Sequence, residues 1–229
     1  MADTSYNCHK MTVYGNEMIR LKDKILENLP YPFFSARDAM NLLGGTQDRR
    51  HGIMKRAVAA GEIIRIRRGL YTLAQRAHMP VVNPLVLAQY VYGPSYISLE
   101  SALRYFDLIP EGVFAITSVS LKKSAQFDTA LGLFTYDRVP QEIFYAQVER
   151  VESPDAPSIL IAHPLKALAD YVYVYKKDWP GLGPVCDSLR IEPEGLASVT
   201  SLQIEDLMHN YRNGRVKRFL AGLKRDLCL

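Results

Sequence analysis

SARDAMNLLGGTQDRRHGIMKRAVAAGEIIRIRRGLYTL, residues Ser35–Leu73, decides the reading of the N-terminal part of this chain. Ser35 is placed to cap a helix. Asp38, three residues on, completes a capping box, and Phe34 and Ala39 stand at the hydrophobic-staple positions. Gly44-Gly45 stops that helix, because glycine tolerates the left-handed backbone a sharp stop needs. Thr46 caps the next helix, predicted to reach about Ala60 and end at Gly61. At 100° per residue, Met54, Ala57 and Val58 share one face with Ile53 near its edge, and Arg49, Lys55 and Arg56 fall on the opposite arc. Glu62 to Ile66 then reads as a short strand, Arg67-Arg68-Gly69 as a turn, and Leu70 to Leu73 as the returning strand. Capped helix, glycine turn, basic helix and hairpin is the layout of a winged helix-turn-helix.

In that layout the third helix lies in the major groove of DNA, and its N-terminal residues reach base edges. Gln47 and Arg49 are the base-reading candidates, since Gln pairs with adenine and Arg with guanine in bidentate fashion. Arg50 lies nearer the apolar arc and reaches DNA only if the helix starts in a shifted register. Lys55 and Arg56, further from the helix start, are phosphate candidates, with Thr46 at the cap. Arg65, Arg67 and Arg68 belong to the hairpin, where arginines meet phosphates or a minor groove. His51 is set aside as a lone histidine. Upstream, Asn16 to Leu29 is predicted as an amphipathic helix stopped by Pro30 and Pro32.

The charge distribution follows the same division. Of 229 residues with net charge +4, residues 1–80 hold 13 Lys+Arg against 7 Asp+Glu, and residues 81–229 hold 15 against 17. A basic module therefore precedes a slightly acidic one, and the coincidence of charge with the helix-turn-helix pattern strengthens both. The chain is 48% hydrophobic, ordinary for a globular protein with a core. No apolar run is long enough for a membrane span, and MADTSYNCHK lacks a signal-peptide core, so a cytoplasmic protein with no membrane partner is expected. Cys8, Cys186 and Cys228 are too scattered for a disulfide framework, and Cys8-His9 has no second ligand pair at zinc spacing.

Met79-Pro80 to Pro84 reads as a linker. Beyond it, helices are predicted over Pro84 to Val91 and Glu100 to Phe106. Strands are predicted over Tyr96 to Leu99, Val113 to Val119, Gln126 to Ala130, Leu133 to Val139, Phe144 to Val151 and Ser158 to Ala162. Pro164 opens a helix at its favoured first position, with Leu165, Leu168, Val172 and Tyr175 as its stripe and Lys166 expected to be exposed. Helical patterning resumes at Ser201. The last helix carries Arg212, Arg215, Lys217, Arg218, Lys224 and Arg225, either a second nucleic-acid surface or a solvated basic face. The expected class is α+β: residues 1–80 a winged helix-turn-helix, residues 81–229 a small, mostly antiparallel sheet with helices.

Catalytic patterns do not hold. There is no P-loop, no G-x-G-x-x-G and no G-x-S-x-G. No Asp or Glu is followed two residues later by Lys, and no Asp-x-Asp pair is present. No enzyme and no cofactor are therefore expected. The alternatives are a stand-alone winged-helix regulator and a nucleic-acid-modifying enzyme targeted by its winged helix.

GEIIRIRRGLYTL at Gly61–Leu73, YISLESAL at Tyr96–Leu103, AITSVSLKK at Ala115–Lys123, the Phe127…Gly132…Phe134-Thr135-Tyr136 segment and HPLKALADYV at His163–Val172 follow one another in order. This succession resembles the AbiEi-type antitoxins of type IV toxin–antitoxin systems over residues 35–175; beyond about Trp179 the resemblance ends. It implies a DNA-binding antitoxin with a winged N-terminal domain, which represses its own operon through inverted repeats near the promoter. It also implies a nucleotidyltransferase-like toxin, countered without a stable complex, and a C-terminal domain linked to antitoxicity.

Overall fold

The computed structural model describes residues 21–74, 82–110, 112, 114–153 and 156–229. The first turns of the Asn16–Leu29 helix, Cys8-His9 and the start of the linker lie outside them. The chain divides into two compact units, one ending at Asn83 and the other starting at Pro84.

In the first unit, α1 covers residues 21–28, α2 is Ala36–Leu42 and α3 is Gln47–Ala59. The cap of α2 forms as the sequence dictates: Asp38 N–H donates to Ser35 Oγ at 3.1 Å, and Ser35 N–H donates to the Asp38 carboxylate at 2.8 Å. Thr46 Oγ1 accepts from Arg49 N–H at 3.4 Å and opens α3. Three strands follow one another across a small antiparallel sheet in the order β1 (Phe33–Ser35), β3 (Leu70–Leu73), β2 (Ile63–Arg67). The sequence reading missed β1, because three residues between a proline and a capping serine show no alternation. Leu21, Ile25, Phe34, Ala39, Leu43, Ile53, Met54, Ala57, Ile63 and Leu73 form the core. Ile53 is central to it, whereas Val58, expected on the apolar face, is 37% exposed.

The second unit is α+β. Its six-stranded sheet runs β6 (Ala125–Thr129), β7 (Gly132–Arg138), β5 (Ala115–Ser120), β4 (Ser95–Ile97), β9 (Ala156–Ala162), β8 (Val148–Ser153). β6–β7, β4–β5 and β8–β9 are antiparallel, but β5–β7 and β4–β9 are parallel. The sheet is thus mixed, with antiparallel pairs in the majority. The β6–β7 hairpin folds so that its second strand, not its first, lies beside β5. Alternation along a strand reports which face is buried and is blind to the direction of its neighbour.

α4 (Pro84–Val91) packs on the central strands, and α5 (Leu99–Tyr105) packs on β5 and on α6 (Pro164–Val174). α7 (Gly183–Leu189) and a 3₁₀ turn at Pro193–Leu196 fill the stretch the sequence left unread. α8 (Ser201–Asn210) and α9 (Gly214–Asp226) complete the unit. Gly222 of α9 is required by close approach: a Cβ there would lie 1.6 Å from the Pro180 carbonyl oxygen.

Lys166 is the clearest correction to the sequence reading, for it is fully buried rather than exposed. Its ammonium donates to Gln141 Oε1, to Tyr211 Oη at 2.5 Å and to Asp170 Oδ1 at 3.3 Å. Tyr96 and Ser98 hydroxyls donate to Asp170 Oδ2 at 3.0 and 2.8 Å. Burial pulls the Lys166 pKa down, opposed by Asp170. Burial, and next the Asp170 charge, hold the Tyr96 and Tyr211 phenols well above their ordinary range. A 3.6-residue stripe places Leu165 and Leu168 correctly. It places Lys166 wrongly because α8 and α9 cover the flank that an isolated helix would expose.

Candidate nucleic-acid interface

α2 is fastened to α1 and to α3 by cations. The last carbonyls of a helix have no intrahelical donor. Here Lys24 Nζ of α1 donates to the Leu42 carbonyl at 3.1 Å, and Arg50 of α3 donates to the Met40 carbonyl at 3.1 Å. Arg50 also donates from Nε to the Gly45 carbonyl at 3.0 Å. Both positive groups sit where the macrodipole of α2 favours them. Arg50 is therefore a joint between two helices and the turn, with its Nε and Nη1 engaged there. Gly45, at φ 92°, supplies the left-handed turn, while α2 itself ends earlier, at Leu43 in extended backbone.

The hairpin that follows carries a β-bulge. Arg65 pairs with Tyr71 and Arg67 with Leu70, so Ile66 is skipped in the ladder and buried between two exposed arginines. A bulge sharpens the local twist and re-aims side chains. Gly69, at φ 84°, closes the turn, and its carbonyl accepts from Ala36 N–H at 2.9 Å, which ties the hairpin to the start of α2.

Between α2, α3 and this hairpin lies a groove of about 520 Å³. Met40, Met54, Val58 and Tyr71 supply its apolar lining, and His51, Lys55, Arg65 and Arg68 its polar lining. Among the described residues, Lys55, Arg65, Arg67 and Arg68 have no carboxylate partner. His51 Nδ1 is 2.9 Å from the Gln47 carbonyl, an i→i−4 bond that assigns the proton to Nδ1 and leaves Nε2 for another partner. Helical patterning alone does not single out His51. Its place in the groove depends on the hairpin's position, which the helix pattern does not contain.

The candidates do not all converge on the groove. Lys55, Arg65 and Arg68 line it. Thr46 and Gln47 are exposed at the start of α3, and Arg67 is exposed beside the groove-lining arginines. Arg49 lies back on the glycine turn, its Nη1 3.5 Å from the Gly44 carbonyl. Arg56 lies over Gly52, where a Cβ would meet its Nη1 at 3.3 Å. Arg49 and Arg56 are therefore on the flank of α3 away from the groove. Gly52, lacking a Cβ, leaves the room that the Arg56 guanidinium fills. Asp48 is the acid of this helix face, and its place in the first turn suits the positive end of the helix.

The basic residues near the C-terminus behave differently. Arg212 pairs with Glu142 at 3.0 Å, Arg215 and Arg218 with Asp178 at 3.2 and 3.7 Å, Lys224 with Glu205 at 2.5 Å, and Arg225 with Asp226 at 2.8 Å. Comparison of the sequence with family models and with curated proteins gives no match. Among the described residues there is no group of His, Cys, Asp and Glu that could hold a metal ion, and no helix long and apolar enough to cross a membrane.

Proposed function

We propose that this chain is a DNA-binding transcriptional repressor and the antitoxin of a type IV toxin–antitoxin system, with its N-terminal unit acting as a winged helix-turn-helix. The observation that carries the DNA-binding part is the groove beside α3, where Lys55, Arg65 and Arg68 stand next to His51 without acidic partners among the described residues. Cations left unpaired on one surface supply the counterion-release term that dominates DNA affinity. α3 lies in the major groove and the β2–β3 hairpin is the wing. Gln47 reads a base edge, and Arg49 does so once it swings off the Gly44 carbonyl. Lys55, Arg56, Arg65, Arg67 and Arg68 hold phosphates. Thr46 joins them through its hydroxyl proton, since its oxygen is already the cap acceptor.

The antitoxin part rests on the ordered succession of motifs from Gly61 to Val172. It carries with it autoregulation through inverted repeats and a nucleotidyltransferase-like toxin countered without a stable complex. No cofactor enters this mechanism. Co-expression with the product of the adjacent gene tests this part. Growth arrest by that product alone, relieved by this chain without co-purification, is expected. An adjacent product that is harmless leaves a stand-alone regulator and removes the antitoxin assignment.

A further inference from the structure

The YISLESAL segment takes no part in the DNA-binding reading, yet it carries an unusual turn. β4 ends at Ile97, and Leu99 opens α5 with φ 56°. A leucine in the left-handed region is strained and persists only where its surroundings fix it, which is commonest at functional sites. Beside this turn opens a cavity of about 310 Å³, with Glu100, Phe114, Thr117, Thr135 and Tyr175 among its walls. Glu100 Oε2 is buried and has no hydrogen-bond partner among the described residues, while the Tyr175 hydroxyl donates to the same carboxylate; burial, and next that bond, push the Tyr175 phenol up. A buried carboxylate oxygen without a donor is costly, and native folds seldom leave one so. The cation on the same helix, Arg104, is engaged by Asp107 Oδ1 at 3.1 Å and the Ile109 carbonyl at 3.4 Å. Thr117 is engaged too, its hydroxyl donating to the Ser98 carbonyl at 2.7 Å and accepting from Ser101 N–H at 3.0 Å. Phe114 is fully exposed at the rim, and Tyr175 is 43% exposed.

We propose that this cavity binds a guanidinium group on an aliphatic stem, paired with Glu100 and flanked by the Phe114 and Tyr175 rings. Three features select that chemistry. The Glu100 carboxylate has a neutral phenol beside it and no cation paired with it among the described residues. Two aromatic rings at one cavity favour a cation over their faces. A planar, weakly hydrated guanidinium stacks on such rings and meets a carboxylate with two parallel N–H groups, which an ammonium does not. The volume is at the small end for ligand sites, the size of a side chain rather than of a nucleotide. A free guanidino compound and an arginine of a partner protein share this chemistry. The inference stands independently of the DNA-binding reading.

The test is a titration of the full chain with agmatine and, separately, with N-acetyl-arginine methylamide, followed by amide NMR and calorimetry. N-acetyl-citrulline methylamide, the neutral isostere, is the control. Saturable binding of the two cations with shifts at Glu100, Thr135 and Tyr175 is expected, with none for citrulline. Glu100→Gln lowers affinity at least tenfold without changing the melting temperature by more than a few degrees. Phe114→Ala, a change at a solvent-exposed side chain, lowers affinity several-fold while the fold is retained. Tighter agmatine binding assigns a free compound, and tighter binding of the capped arginine assigns a partner's side chain. Equal binding of citrulline, unchanged affinity in Glu100→Gln, or no saturable shift around the cavity overturns the proposal.

Discussion

Two basic surfaces, α3 with its hairpin and α9 with its flanking residues, look alike in the sequence and differ in what their charges face. Arg212, Arg215, Arg218, Lys224 and Arg225 each have a carboxylate within ion-pair distance, and among the α9 cations Lys217 alone lacks one among the described residues. Lys55, Arg65, Arg67 and Arg68 have none among the described residues. A paired surface cation gains about 0–1 kcal/mol from its partner and offers little field to a polyanion. An unpaired cluster does the reverse, tolerating mutual repulsion and presenting net charge to a ligand. Net charge per segment therefore says less about function than how many charges remain once the neighbouring acids are counted.

The largest expected effect lies away from both surfaces and separates folding from binding. Asp170→Ala leaves Lys166 buried without its carboxylate. Breaking a buried pair in this way costs about 3–5 kcal/mol. Urea unfolding of the second unit should show that loss, with DNA affinity unchanged wherever the protein stays folded. Next comes Arg50→Ala, which strips donors from the Met40 and Gly45 carbonyls. A loss of about 1–3 kcal/mol is expected, as for a hydrogen bond to a charged group. DNA binding should fall only as far as the first unit loosens. A full loss of specific binding in an undestabilised Arg50→Ala protein would place Arg50 on the contact surface.

Removing both hairpin arginines, Arg67→Ala with Arg68→Ala, should reduce the slope of log affinity against log salt by about 2, near 0.9 for each phosphate contact. The matching change on the other surface, Lys217→Ala with Arg218→Ala, should leave that slope unchanged. Equal effects of the two pairs would erase the distinction between the surfaces. The smallest effect concerns acid. The Lys224 bond and charge hold the Glu205 carboxyl below its usual range. Its folded pKa is thus lower than its unfolded one, near 4.3 for an ordinary Glu. The stability it adds is present above that value and is lost as pH falls through the folded one. Glu205→Gln should flatten the acid limb of a melting-temperature profile slightly and leave neutral pH untouched.

Most of the first unit could be read from the chain because its signals are local. Ser35 with Asp38, Thr46, and Gly69 each act within three or four residues. The elements they bound fall close to the predicted positions. The failures share one cause, dependence on residues distant in sequence. Arg50 is drawn to Met40 across a turn, and His51 becomes part of a groove only when the hairpin folds beside it. Lys166 is covered by helices that follow it by more than thirty positions. The parallel pairing of β5 with β7 and the contact of Gly222 with Pro180 are equally invisible to periodicity. The Glu100 cavity belongs with these: its motif is plain in the sequence, but the orphaned oxygen is a property of the packed unit.

The proposal stands or falls on whether the unpaired charge beside α3 is a DNA surface. Its most direct test is fluorescence-anisotropy binding to the DNA immediately upstream of the gene, against scrambled DNA of equal length, across a salt series. Tight, site-selective binding with a steep salt slope is expected, with a selective loss on the specific site for Arg49→Ala. Weak binding of equal strength to both DNAs, with Arg49→Ala affecting them alike, would contradict it.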